Sequence, residues 1–143
     1  MLTRAQALVI GLFAAIAVIV VVIGFAAPDV LTRATGLAPS AMGAGLAALA
    51  VLIAFIVVGT LRRWRWLFWV LMLVLLAGGL RIPVVALQLS GVLPTGLPAW
   101  YVLVQGALGA AQLGIGLVLV ADHRRAGVWG RRAPGAPPGA DVP

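Results

Sequence analysis

The 143-residue chain is 64% hydrophobic and 9% charged, with a mean hydropathy of +1.19 and a net charge of +7, far from the soluble average of about half apolar and a quarter charged, so a water-soluble fold is excluded. It contains no Cys, one His and no Glu, which removes disulfides, thiolate metal sites and iron–sulfur clusters and leaves too few groups for a transition-metal site or a paired-carboxylate acid/base centre. The ten basic residues are all Arg and the acidic ones are Asp29, Asp122 and Asp141, so a non-enzymatic protein without cofactor or metal is expected.

The first apolar segment runs from about Ala7 to Ala27. Its length favours a membrane anchor over a signal peptide, whose apolar core is about 7 to 15 residues. The second segment, about Ala41 to Leu61, carries Gly43, Ala47, Ala50 and Ala54 at helical spacing. Small residues let helix backbones approach closely in lipid, so this stripe reads as a helix-contact face. The turn "RRWRW" follows, with Trp64 and Trp66 where indoles favour the headgroup zone; Trp100, Tyr101 and Trp129 mark other interface crossings.

The third segment, about Leu67 to Leu89, is the irregular one. Pro83 has no amide hydrogen, so the Gly79 carbonyl should lose its helical partner, and Gly78 and Gly79 make a kink sterically easy. Arg81 lies inside this segment, in the half farther from the "RRWRW" turn, and shares a face with Ala77, Val85 and Gln88. A guanidinium at that depth costs at least about 2.5 kcal/mol unless it snorkels, pairs or faces water. Three readings follow in order of preference: binding of lipid phosphate at the headgroups, pairing with Asp29, or a ligand site formed with the freed Gly79 carbonyl.

The fourth segment, about Pro98 to Ala121, places Gln105, Gly109, Gln112 and Gly116 on one face. Packing is the preferred role, with the Gln side chains bonded across an interface; a polar path for substrate is the alternative. Asp122 and His123 at its end invite a proton relay, but a solvated helix terminus is the simpler reading. Residues 130–143, rich in Pro and Gly, are expected to be a disordered tail.

Each segment has at least 20 residues, enough to cross a hydrocarbon core of about 30 Å. The fold class is therefore all-α: a four-helix transmembrane bundle of two helical hairpins over residues 1–129, with helix three kinked between Gly79 and Pro83. Eight arginines (Arg4, Arg62, Arg63, Arg65, Arg124, Arg125, Arg131, Arg132) fall on one side and only Arg33 on the other, which predicts a multi-pass plasma-membrane protein with both termini cytoplasmic. The pairs "VLTRATGLAP" with "VLPTGLPAW" and "RRWRW" with "RRAGVW" recur at an offset of about 60 residues. A duplicated hairpin would explain them, but convergent use of turn and interface residues is preferred.

Contact stripes beside so bare a catalytic inventory suggest an accessory or scaffold subunit acting through helix–helix contacts. Expected partners are the bilayer, further copies of the chain or other membrane subunits, and anionic lipid at the terminal arginines, not nucleic acid. A small transporter or channel component for an anion, a zwitterion or a lipid headgroup, using Arg81, is the alternative. A lipid-directed enzyme comes third.

Overall fold

Lipid offers backbone groups no hydrogen-bond partners, so long apolar runs satisfy them internally as helices. The computed structural model describes residues 2–130, and every regular element among them is helical. The helices are α1 (Arg4–Ala26), α2 (Pro28–Thr35), α3 (Met42–Leu61), α4 (Arg65–Gly78), α5 (Arg81–Leu89) and α6 (Ala99–Ala126), with short 3-10 turns at Pro39–Ala41 and Val128–Gly130. Four spans, Arg4–Ala26, Met42–Leu61, Arg65–Leu89 and Ala99–Ala126, are long and apolar enough to cross a membrane. The protein is thus a membrane protein with the expected four-helix architecture. Most of the expected tail, from residue 131 on, lies outside the described residues.

Helix α1 begins with a capping box: the Thr3 hydroxyl accepts from the Gln6 amide at 3.3 Å while the Thr3 amide donates to Gln6 Oε1 at 3.0 Å. Two amide donors that a helix start leaves orphaned are satisfied at once. The other half of the Gln6 side chain reaches across the bundle, Nε2 donating to the Thr60 carbonyl at 2.6 Å. One residue therefore caps α1 and fastens it to the end of α3.

Helix α2 lies between the first two spans, outside the four apolar segments. Its signals are local ones: Pro28 in the first turn with Asp29, Arg33 in the last turn, and Gly36 just beyond in the left-handed conformation at φ 67°. Val30 and Leu31 turn inward while Asp29 and Arg33 stay exposed, and α2 folds back on α1.

Helix α3 ends in a left-handed cap built on arginine. Arg63 takes φ 57°, its amide donates to the Thr60 carbonyl at 3.2 Å, and the Trp64 amide reaches back to the Gly59 carbonyl at 3.0 Å. This double bond pattern normally uses Gly at the left-handed position. The "RRWRW" turn gives that position to a cation instead, and a Cβ on Gly59 would run into Leu67 and Trp64. Phe55, Trp64 and Trp66 gather beside it, with Trp64 and Trp66 stacked at 5.8 Å.

The third span breaks where expected. Helix α4 stops at Gly78 and α5 starts at Arg81. Across the break the Gly79, Leu80 and Ile82 amides bond three residues back, to Leu76, Ala77 and Gly79, at 3.0 to 3.1 Å. The Gly79 carbonyl is consequently not free, which corrects the reading that made it half of a ligand site. The tight 3-10 turn supplies a donor from Ile82 that the α-helical count from Pro83 overlooks.

Helix α6 organises the bundle, packing along α4 and α5 and also against α1. At the arginine-rich end the core comprises Ala5, Val9, Leu12, Ile56, Leu67, Phe68, Leu71, Leu75 and Leu119, closed by Trp129. The two suggested repeat pairs do not match in structure: residues 30 to 35 are helical and 92 to 95 are not, while Arg62 and Arg63 sit in a turn and Arg124 and Arg125 in α6. Shared turn and interface chemistry accounts for the likeness better than duplication.

Candidate functional site

The broken span and α6 meet along a seam of glycines. A Cβ placed on Gly109 would come within 3.0 Å of both the Gly78 carbonyl oxygen and Arg81 Cβ; one on Gly106 would meet Val85 at 3.0 Å, and one on Gly116 would meet Leu76 at 3.1 Å. Opposite them, Gly78 makes room for the Gln112 side chain and Gly79 for Leu113. The stripe read as a contact face on the fourth segment is therefore used inside the chain: Gly109 and Gly116 are buried and Gln112 lies at the break itself. Close backbone approach, rather than apolarity, holds such a seam in lipid.

Arg81 stands on this seam. The Cβ and Cγ of its side chain cross Gly109, and the residue as a whole is exposed. Asp29, offered above as its partner, instead faces Arg33 at 3.7 Å on the surface of α2. That pair is one turn apart on a single helix, a separation at which opposite charges meet without any tertiary constraint. Among the described residues Asp29–Arg33 is the ion pair present, so the structure does not bring Arg81 and Asp29 together. Gln88 and Gln105 are half-buried on α5 and α6. Of the polar candidates in the spans, then, Arg81 and Gln112 converge at the break.

The second predicted stripe behaves differently. Gly43, Ala47, Ala50 and Ala54 are all exposed, and a Cβ on Gly43 would meet nothing within 4 Å. Helix α3 turns Leu46, Leu49, Ile53, Ile56 and Thr60 inward instead. At 100° per residue the small stripe is centred about 110° round the helix from that inward face, on its flank. Among the described residues nothing covers this face.

Sequence reasoning missed a group of polar side chains at the arginine-rich end. Gln6 and Thr60 are 1% and 0% exposed, and the Thr60 hydroxyl has no hydrogen-bond partner among the described residues. The signal for Gln6 was present in Thr3-x-x-Gln6, the spacing of a capping box just before an apolar run. Trp129, read as an interface marker, is 1% exposed; its indole N–H donates to the Trp64 carbonyl at 3.2 Å and its ring packs on Phe68 at 5.1 Å. His123 lies between Trp69 (5.0 Å) and Phe68 (5.6 Å), its Nδ1 buried and without a hydrogen-bond partner among the described residues. Among the described residues no hydrogen bond joins His123 to Asp122.

Among the described residues no group of three His, Asp or Glu side chains converges to hold a metal ion. Comparison with family models, curated proteins and solved structures finds nothing that matches this chain.

Proposed function

We propose that the chain is an accessory or scaffold subunit of the plasma membrane, acting through helix–helix contacts with further copies of itself or with another membrane protein. One observation carries this reading: of two stripes with the same helical spacing, Gly109 and Gly116 of α6 are consumed within the bundle while Gly43, Ala47, Ala50 and Ala54 of α3 remain exposed. A small-residue stripe facing lipid favours association, since another helix can approach it more closely than acyl chains pack. Its arginine-rich end faces the cytoplasm, on the strength of the arginine asymmetry.

Purification from native membranes in mild detergent tests the reading. The wild-type chain is expected to emerge as an oligomer or with a partner, and Ala47→Ile together with Ala50→Ile to release it as a folded monomer. A wild-type chain that emerges alone and monomeric overturns the reading.

A second reading has Arg81 serve a small transporter or channel component, binding an anion, a zwitterion or a lipid headgroup. It is supported by a guanidinium that is exposed and outside the ion pair formed among the described residues, at a depth where such a charge is costly. The bonded Gly79 carbonyl leaves phosphate chemistry as its preferred form. Vesicles reconstituted with the chain are then expected to release chloride or phosphate at a rate that Arg81→Ala abolishes; flux unaltered by the substitution, or no flux, removes this reading.

A further inference from the structure

Away from the arginine-rich end, α1, α2, α3 and the start of α6 do not close on one another. They leave a cleft of about 290 Å³ lined by Val20, Leu31, Thr35, Leu37, Met42, Gly45, Leu46, Leu49 and Tyr101. We propose that this cleft binds one acyl chain of a phospholipid from the surrounding bilayer, with the lipid's ester carbonyl accepting a hydrogen bond from the Tyr101 hydroxyl.

Size, depth and chemistry support this occupant. The volume is about twice the 150 Å³ at which an apolar protein cavity accommodates benzene, and reaches the lower edge of the range of ligand pockets, near 300 Å³. From Met42 to Leu49 the wall descends seven residues of α3, about 10 Å along the helix axis, into the hydrocarbon region. Ordered water is a poor filling, because it needs two to four polar partners to be held in place. Thr35 does not supply them: its hydroxyl donates to the Leu31 carbonyl at 2.8 Å and accepts from the Leu37 amide at 3.4 Å. Tyr101 is the other hydroxyl of the lining, and it makes no hydrogen bond to a described residue. It belongs to the first turn of α6, at the height where ester groups lie above the acyl chains and where aromatic hydroxyls concentrate in membrane proteins. A cleft lined mainly by apolar side chains, with one uncommitted hydroxyl among them, matches a lipid's division into tail and ester.

The cleft also explains α2. Buried Val30 and Leu31 anchor that helix over α1, and Leu31, Thr35 and Leu37 form the wall on its side. Gly45 lets Leu37 approach: a Cβ there would lie 2.8 Å from Leu37 Cδ1. The segment between α1 and α3 is thus shaped as a side of the cleft rather than as a minimal connection.

The test uses the full chain in vesicles of phosphatidylcholine containing a small fraction of phosphatidylcholine with a photoactivatable diazirine on one acyl chain. Peptide mapping after illumination is expected to place adducts on Met42, Leu46 and Leu49 in preference to the exposed Val51 and Leu73. Leu46→Trp, which fills the cleft, is expected to abolish that preference. Tyr101→Phe, which leaves the packing in place, should weaken it about fivefold, the worth of a single net hydrogen bond. Circular dichroism identifies variants that fail to fold, and wild-type mapping decides the proposal by itself if Leu46→Trp is one of them. Adducts spread evenly over exposed helix faces, or a preference that persists in a folded Leu46→Trp chain, would overturn the proposal.

Discussion

Gln6 illustrates how much one polar side chain does in an apolar bundle. It completes the cap of α1 and, with its other end, satisfies a carbonyl at the end of α3. Gln6→Leu removes both bonds, including the one that ties α1 to the end of α3, so thermal unfolding in detergent is expected to show a loss of about 1–3 kcal/mol. Gln6→Glu is expected to be no better, since a carboxylate offers no donor to the carbonyl. Trp129 is a comparable case in aromatic form. Its ring closes the core over Phe68, and Trp129→Ala should destabilise the bundle by about 3–5 kcal/mol in the same measurement. The Thr3-x-x-Gln6 spacing made the cap legible, but nothing in the sequence indicates that the Gln6 amide would find Thr60, 54 positions away.

The break in the third span separates two causes that sequence reading joins. Pro83 is the third residue of α5, within the first turn, where amides have no intrahelical acceptor in any case. The close packing lies at Gly78, which accommodates the Gln112 side chain. Pro83→Ala is therefore expected to change stability by less than about 1 kcal/mol, whereas Gly78→Val should cost about 1–3 kcal/mol through overpacking against α6. A larger loss from Pro83→Ala than from Gly78→Val in chemical unfolding would return the break to proline. The α6 stripe was legible for a related reason: small residues at steps of three and four face one direction in any straight helix. Helix α2 is legible only at its two ends, marked by Pro28, Asp29, Arg33 and Gly36. At 8 residues it is too short to show a convincing apolar period, and its packing against α1 stabilises it.

Taken whole, the bundle is asymmetric. Its arginine-rich end is closed by Gln6, Thr60, Trp64, Phe68 and Trp129, and its other end is open at the cleft. The absence of native cysteine makes its orientation simple to measure. A single cysteine at Arg62 is expected to resist a membrane-impermeant maleimide applied to intact cells, while one at Gly91 is labelled; the reverse pattern would invert the proposed topology.

Composition and segment length alone determined a four-span membrane protein, because about 20 apolar residues in a row have no other stable state. Glycine and proline chemistry likewise located the break, since those effects act within a few residues. Only the tertiary structure decided which stripe is consumed and which is left, that Asp29 pairs with Arg33 rather than approaching Arg81, and that α2 borders a cleft. The physical reason is that a transmembrane helix is apolar on every side, so the contrast that tells a soluble helix which face to bury is missing. Neighbour choice then rests on close shape fit and a few hydrogen bonds, which arise between residues far apart in the chain.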